Sequence, residues 1–333
     1  MYAHYSAQIG AEMKVVGTCS EEMIRMLKEK GIDADTKQIP LFDSEEIIEK
    51  VKGYECWINV GNVCPKEVID RLAPTLKMIC RCGIGYDQID VDYATKKGIC
   101  VTNTAGSMNE SVGEAAALLI LEVMRKFYLY NRRLLDGNWY TSVPANSLIG
   151  KTIGFVGFGG IGRSCAELLQ GFHCKFLVYD KYVSEEILKQ YQAEAVELDE
   201  LAARSDVVTI HCPLTPETKG LIDFAFLSRM KPTAYLVNTA RGPVVREQDL
   251  IRALKQGLLA GAGLDVYETE PVEKDNPLLS MEQVIALPHV ASRTAESQWL
   301  TQHQAAENIR QFLDGKRPMN CLNPDYVTYI QEG

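Results

Sequence analysis

The chain has 333 residues, 46% apolar and 24% charged, a globular composition at a length that predicts two domains rather than one. Its 35 Lys and Arg stand against 44 Asp and Glu, and the net charge of −9 argues against a nucleic-acid or anionic-membrane partner, since binding phosphates needs basic surface. The longest apolar run, Ala115–Leu121, stops at Glu122 and is far short of the ~20 residues of a membrane-spanning helix.

In chain order, residues 1–12 carry neither Lys nor Arg and no apolar core, so they read as a loose leader and not as a signal peptide. From Met13 onward, short apolar runs alternate with stretches of helical period. Predicted strands are Lys14–Gly17, Cys56–Val60, Met78–Cys82, Thr152–Val156, Phe176–Tyr179, Asp206–Ile210, Tyr235–Asn238 and Ala260–Asp265, with Val284–Leu287 also strand-like. Ser20–Lys30, Ser44–Val51 and Arg246–Lys255 have helical period. Ser20 and Ser44 stand where N-caps belong, each followed by acids that suit the positive end of a helix dipole. Ser111–Leu135 reads as one long helix, able to bridge two lobes, and a fresh strand–helix series begins after it at Thr152. A last helical segment, Thr294–Leu313, can return to the first lobe. The expected fold is α/β: two Rossmann-like or flavodoxin-like parallel-sheet domains with a cleft between them. The expected boundaries are a discontinuous 1–105 plus 297–333, enclosing 106–296. Ten cysteines without a Cys-x-x-Cys pair suggest neither a zinc site nor a disulfide framework, but reduced thiols in a cytoplasmic protein.

Ile153-Gly154-Phe155-Val156 runs into Gly157-Phe158-Gly159-Gly160-Ile161-Gly162, with a helical stretch after it and a second strand ending at Asp180. Gly157 permits the tight turn, Gly159 lets the backbone approach a pyrophosphate, and Gly162 lets the helix pack close to the sheet. The first helical amides, at Gly160, Ile161 and Gly162, attract phosphate oxygens. Asp180, eighteen residues past Gly162, suits the ribose hydroxyls and repels a 2′-phosphate, which favours NAD over NADP; Lys181 beside it softens that repulsion.

A proton donor near neutral pH is most often His, and there are five: His4, His173, His211, His289 and His303. His289, after Val284–Leu287 and Pro288, lies at the carboxyl end of a strand, where parallel sheets bind ligands. His211, after Asp206–Ile210, is the reserve candidate. Arg241, in Asn238-Thr239-Ala240-Arg241-Gly242, offers a guanidinium fork for a carboxylate. Among Asp265, Glu268 and Glu270, one carboxylate is expected to hydrogen-bond the second nitrogen of His289, and the residues themselves leave open which.

The order and spacing of these stretches resemble the D-isomer-specific 2-hydroxyacid dehydrogenase family, from about Met13 to Pro324. The likeness is carried by Arg81–Asp90, Val101–Gly106, Gly157–Gly162, His211–Thr218, Asn238–Gly242, Ala262–Pro271 and Pro288-His289. It implies Arg241 as the substrate-orienting arginine, Glu270 as the partner of the histidine, and His289 as the general acid/base. It also implies that the backbone of Gly83, Ile84 and Gly85 holds the substrate carboxylate. Cys212, Thr239, Ala240 and Asp265 become cofactor contacts, with Ser292 in the segment beyond His289, and His211 moves to the cofactor side. The implied reaction is reversible hydride transfer between NADH and a small 2-oxo acid lying between the lobes. Lobe closure would use hinges near Asn103–Gly106 and Ser292–Glu296. As in the family, the long helix suggests a homodimer.

Three alternatives stay open on the same scaffold. One is 3-phosphoglycerate dehydrogenase, against which Val60-Gly61-Asn62-Val63 lacks the Arg typical of that loop. Another is a non-enzymatic NADH-sensing binding protein. The third is a formate dehydrogenase, from which Glu270 opposite His289 departs.

Overall fold

The computed structural model describes residues 13–139 and 143–329; the expected leader, His4 included, lies outside the described residues. The chain divides into two compact units, Met1–Met108 with Thr294–Gly333, and Asn109–Arg293. The joins follow local structure. A helix, Asn109–Arg125, opens the second unit, and Thr294 caps the helix Ala295–Leu313 that returns to the first by accepting from the Ser297 amide.

The first unit holds a parallel sheet of β1 (Val15–Gly17), β2 (Ala34–Thr36), β3 (Cys56–Asn59), β4 (Met78–Arg81) and β5 (Cys100–Thr102), in the order β2-β1-β3-β4-β5. Side chains alternate between its faces. Val15, Cys56, Ile58, Met78 and Cys100 pack with Leu27, Ile309 and Phe312. Val16, Trp57, Ile79 and Val101 pack with Ile47, Val51, Val68 and Leu72. Both faces are buried, which is why these strands read as unbroken apolar runs. Ser20 caps the helix Glu21–Glu29 as expected, accepting from the Met23 amide at 3.1 Å. The expected cap at Ser44 is corrected: the helix Ser44–Val51 is capped by Asp43, whose carboxylate accepts from the Glu46 amide at 3.0 Å.

The second unit holds β6 (Thr152–Val156), β7 (Lys175–Tyr179), β8 (Ala193–Ala195), β9 (Val207–Ile210), β10 (Tyr235–Asn238), β11 (Gly261–Leu264) and β12 (Val284–Ala286), all parallel, in the order β12-β11-β10-β9-β6-β7-β8. The order reverses between β6 and β9, the kind of switch point where such sheets bind ligands. Ala116, Leu119, Ile120 and Val123 of the helix Asn109–Arg125 cover one face against Phe155, Tyr235 and Val237. The expectation of one helix over Ser111–Leu135 is corrected. The helix ends at Arg125, Lys126 turns left-handed at φ 54°, and a second helix runs Phe127–Leu135. Glu122 supports the break, its carboxylate accepting from the Tyr128 amide at 3.2 Å. The short strands β2 and β8 escaped prediction because they are partly exposed and mostly polar or small.

Register carries this fold to the site. Val156 pairs Ile210, Ile210 pairs Asn238, Asn238 pairs Leu264, and Leu264 pairs Ala286. Residues 157, 211, 239, 265 and 287 therefore leave the sheet along one carboxyl edge. Among the described residues, no helix is long and apolar enough to cross a membrane.

Candidate active site

The glycine turn leaves β6 at this edge. Gly157 has φ +91°, and a Cβ there would come 2.6 Å from the Cys212 backbone nitrogen, so the crossing onto the strand next door admits only glycine. At Gly162 a Cβ would lie 2.8 Å from the Gly157 carbonyl oxygen, the close packing expected of the third glycine. Gly159 differs: a Cβ would meet no atom within 4 Å, so its absence leaves open space above the turn. The helix Gly160–Leu169 starts behind it with no side-chain cap and no acidic residue in its first turn, leaving its dipole for an anion.

Asp180 closes β7, its two oxygens accepting from the Phe158 amide at 2.6 Å and the Tyr182 amide at 2.7 Å. Those bonds tie the carboxylate to the turn while its remaining lone pairs stay available for hydroxyls. On the other side of the turn, Cys212 is half-buried, its thiol pushed up to about 11 by burial. Thr239 Oγ1 and His211 Nδ1 are buried without a partner among the described residues. Orphaned polar atoms, uncapped amides and an open cradle together fit a dinucleotide.

The expected acid/base pair is present. His289 Nδ1 lies 2.7 Å from Glu270 Oε2, and Glu270 Oε1 accepts from the Tyr267 amide at 3.1 Å. Burial, the largest single influence on Glu270, pushes its carboxyl up. The hydrogen bond and charge of His289, the Tyr267 amide and the charge of Arg241 outweigh it and hold the carboxyl below the usual range. Glu268 turns elsewhere: it accepts from the Glu247 amide at 3.3 Å, and its own amide donates back to Glu247 Oε2 at 3.0 Å.

Arg241 is half-buried, with Nη1 donating to the Ala240 carbonyl at 2.7 Å and its own carbonyl accepting from Asn238 Nδ2 at 3.0 Å. Gly242 follows it with no room for a side chain, because a Cβ would overlap the Tyr267 carbonyl. That contact presses the arginine's segment onto the chain leading to Glu270.

Asp265, expected as a cofactor contact, is tied to the backbone beside His289. It is fully buried, and its two carboxylate oxygens accept from the Val290 and Ala291 amides at 2.8 and 2.9 Å, while its carbonyl accepts from the His289 amide at 2.8 Å. Burial raises its carboxyl, and those amides pull the other way. Three bonds thus hold His289 in the left-handed region, at φ 54°, where a non-glycine residue is strained. Ser292 follows this segment, half-buried.

The reserve histidine is corrected. His211 stacks on Phe155, its Nε2 meets Thr209 Oγ1 at 2.9 Å, and burial drives its pKa down to about 3. Near neutral pH it is therefore uncharged, and not the imidazolium acid that reduction needs. His303 stacks on Trp299 in the first unit, and His173 caps a short turn at φ 54°.

In the first unit, the loop after β4 contains Gly83, Ile84 and Gly85. Here the expectation is narrowed: the Gly83 amide already donates to Thr104 Oγ1 at 3.0 Å. The carbonyls of Cys82, Gly83, Ile84 and Gly85 all accept from protein donors: Arg81 Nη1, the Thr104 amide, Asn103 Nδ2 and Arg81 Nε. For the amides of Ile84 and Gly85 no partner is found among the described residues. The loop therefore presents donors with its acceptors turned away, as an anion requires.

Comparison with known proteins adds a family. A model described as D-isomer specific 2-hydroxyacid dehydrogenase, NAD binding domain, matches residues 117–291. The chain is 38% identical to a glyoxylate reductase of Korarchaeum cryptofilum over 84% of this chain and 86% of that protein. It is 36% identical to a D-3-phosphoglycerate dehydrogenase of Archaeoglobus fulgidus over 91% of this chain but 58% of that protein. A crystal structure of D-lactate dehydrogenase from Aquifex aeolicus, complexed with NAD and lactic acid, superposes with TM-score 0.82 at 29% identity, covering 93% of this chain and 99% of that one.

Proposed function

The chain belongs to the D-isomer-specific 2-hydroxyacid dehydrogenase family, and on that premise we propose that it works on a small, unphosphorylated 2-oxo acid such as glyoxylate or hydroxypyruvate. Its activity is the NAD-dependent interconversion of a 2-oxo acid and its 2-hydroxy acid. When bound, the cofactor supplies or takes up hydride at the substrate carbon. Gly157, Gly159, Gly160, Ile161 and Gly162 would hold its pyrophosphate and Asp180 its ribose, with Cys212, Thr239, Ala240 and Ser292 as further contacts.

The observation that carries the reading is the His289–Glu270 bond beside Arg241, on the edge where the glycine turn begins. In the reducing direction, protonated His289 donates to the carbonyl oxygen from Nε2, because Nδ1 is turned to Glu270. Arg241 takes the substrate carboxylate and stabilises charge developing on the oxygen. In the first unit, the amides of Ile84 and Gly85 are proposed as donors to a substrate carboxylate. Glu270 is in its charged form well below neutral pH, since its carboxyl is lowered. The pair is therefore complete above the usual carboxylate range and is lost as pH falls through that lowered value.

Glu270→Gln removes the carboxylate that fixes His289 Nδ1 and leaves an amide that does not titrate. In reduction, kcat/KM at neutral pH is expected to fall about tenfold, and the loss of activity on acidification that protonation of Glu270 causes is expected to vanish. A profile that stays in place argues against the pairing.

A phosphorylated 2-oxo acid is the second reading, favoured by the phosphoglycerate dehydrogenase relative. Against it, the cation near Gly61 is Arg81, whose Nε and Nη1 are occupied by backbone carbonyls. An NADH-oxidation screen over 2-oxo acids separates the readings. The expected result is turnover of glyoxylate or hydroxypyruvate at least about tenfold above a phosphorylated analogue, and faster with NADH than NADPH. The reverse order selects the second reading. No NADH oxidation with any acid of the screen indicates a non-enzymatic NADH sensor.

We further propose a homodimer, supported by the exposed Leu118, Phe127, Tyr128, Leu134 and Leu135 along the two helices between Asn109 and Leu135. Ten free cysteines support a reducing, cytoplasmic setting.

A further inference from the structure

Arg81 ends β4 immediately before the donor loop, and the loop folds back around its side chain. Nε donates to the Gly85 carbonyl at 2.8 Å, and Nη1 donates to the carbonyls of Cys82 at 2.8 Å and Asn59 at 3.3 Å. Gly83, at φ +150°, lies against the guanidinium so closely that a Cβ would come 2.8 Å from Cζ. Three carbonyls gathered on one half-buried cation are more than the end of a strand needs.

Their consequence follows from peptide geometry. In a trans peptide the C=O and the next residue's N–H point in opposite directions, so whatever binds the carbonyl aims the amide. The Thr104 amide holds the Gly83 carbonyl at 3.1 Å and so aims the Ile84 N–H; Asn103 Nδ2 holds the Ile84 carbonyl at 2.9 Å and so aims the Gly85 N–H. Arg81 holds the carbonyls at the two ends, Cys82 and Gly85. With those ends released, the Cys82–Gly83 and Gly85–Tyr86 peptides are free to turn, and the Ile84 and Gly85 amides between them lose the frame that fixes their position. The guanidinium also places a fixed positive charge behind the amides.

We infer that Arg81 is a positioning residue for the substrate carboxylate, holding loop 82–85 so that the Ile84 and Gly85 amides, and not their carbonyls, meet it. This rests on the reading that the loop takes that carboxylate, and the experiment separates the two. Glyoxylate and its neutral amide, glyoxylamide, are compared as substrates of the parent enzyme, Arg81→Met and Arg81→Lys, with NADH affinity followed by fluorescence.

The parent is expected to prefer the acid by about a hundredfold or more in kcat/KM. In Arg81→Met, KM for glyoxylate rises about 10- to 100-fold, kcat stays within about threefold, and the constants for glyoxylamide and NADH do not move. Arg81→Lys keeps the charge but not the fork, so it falls between the two and carries the test if Arg81→Met does not fold. Millimolar guanidinium chloride restores part of the preference in Arg81→Met. A parent enzyme that does not distinguish acid from amide overturns the carboxylate reading of the loop. A parent that does, with both variants keeping the full preference, overturns the role of Arg81 alone. A loss of kcat with the preference unchanged is also against it.

Discussion

Replacing His289 by Ala is expected to lower turnover by about 10²- to 10⁴-fold while NADH affinity stays within about twofold of the parent. The two effects separate because the imidazole is anchored by Glu270, and its backbone by Asp265, whereas the proposed cofactor cradle is the turn Gly157–Gly162 with Asp180. Among the described residues, no other histidine is placed to take over. His211 leaves the same sheet edge, but its ring is buried and burial lowers its pKa to about 3, so it is not the charged imidazolium that reduction needs as its acid. The variant has a second signature: without the hydrogen bond and charge of His289, which do most to lower it, the Glu270 carboxyl titrates higher than in the parent. Steady-state NADH oxidation and carboxyl titration by NMR check the two parts. Retained turnover removes the acid/base role.

Gly242→Ala should be the most damaging single methyl in the second unit. The added Cβ would overlap the Tyr267 carbonyl and crowd the Glu268 nitrogen, and neither is a flexible side chain that can swing away. An overpacked backbone contact of this kind is expected to cost about 3 kcal/mol or more, a fall of about 10 °C in Tm for a unit of this size. Because the contact lies between Arg241 and the chain leading to Glu270, relief by movement separates two groups that must act together. A further loss of about 100-fold in kcat/KM is expected in the protein that still folds. Gly171→Ala, where a Cβ meets nothing within 4 Å, is the control and should be near neutral. Equal melting of the two variants would mean that the segments are not pressed together.

Much of the site was readable from one dimension because its parts are local. The glycine turn, its strand and its helix are contiguous, so Gly157, Gly159 and Gly162 could be given separate tasks before any fold was known. The strands of both sheet centres are buried on two faces and appear as apolar runs, which is why Thr152–Val156 and Tyr235–Asn238 match their predicted bounds. Other elements misled for physical reasons. Nothing in the apolar period of Ser111–Leu135 marks the left-handed turn at Lys126, which depends on Glu122 reaching the Tyr128 amide. Ser44 and Asp43 are equally good caps on paper, and backbone direction chose the aspartate.

The sequence by itself determined the α/β class, the dinucleotide turn with Asp180, and a short set of candidate groups in which His289 and Arg241 stood out. Those are properties of neighbouring residues and of strand ends. The residues by themselves left the partner of His289 open; the family likeness pointed to Glu270, and tertiary structure shows that carboxylate facing His289 and Glu268 tied to Glu247. Tertiary structure alone decided that Asp265 holds backbone and that His211 is sealed in neutral form. It also decided that Ile84 and Gly85, not Gly83, keep their amides available. Each of those outcomes turns on a partner distant in sequence, brought close by strand register or by a carbonyl already occupied, and a hydrogen bond between distant segments leaves no trace in the order of residues.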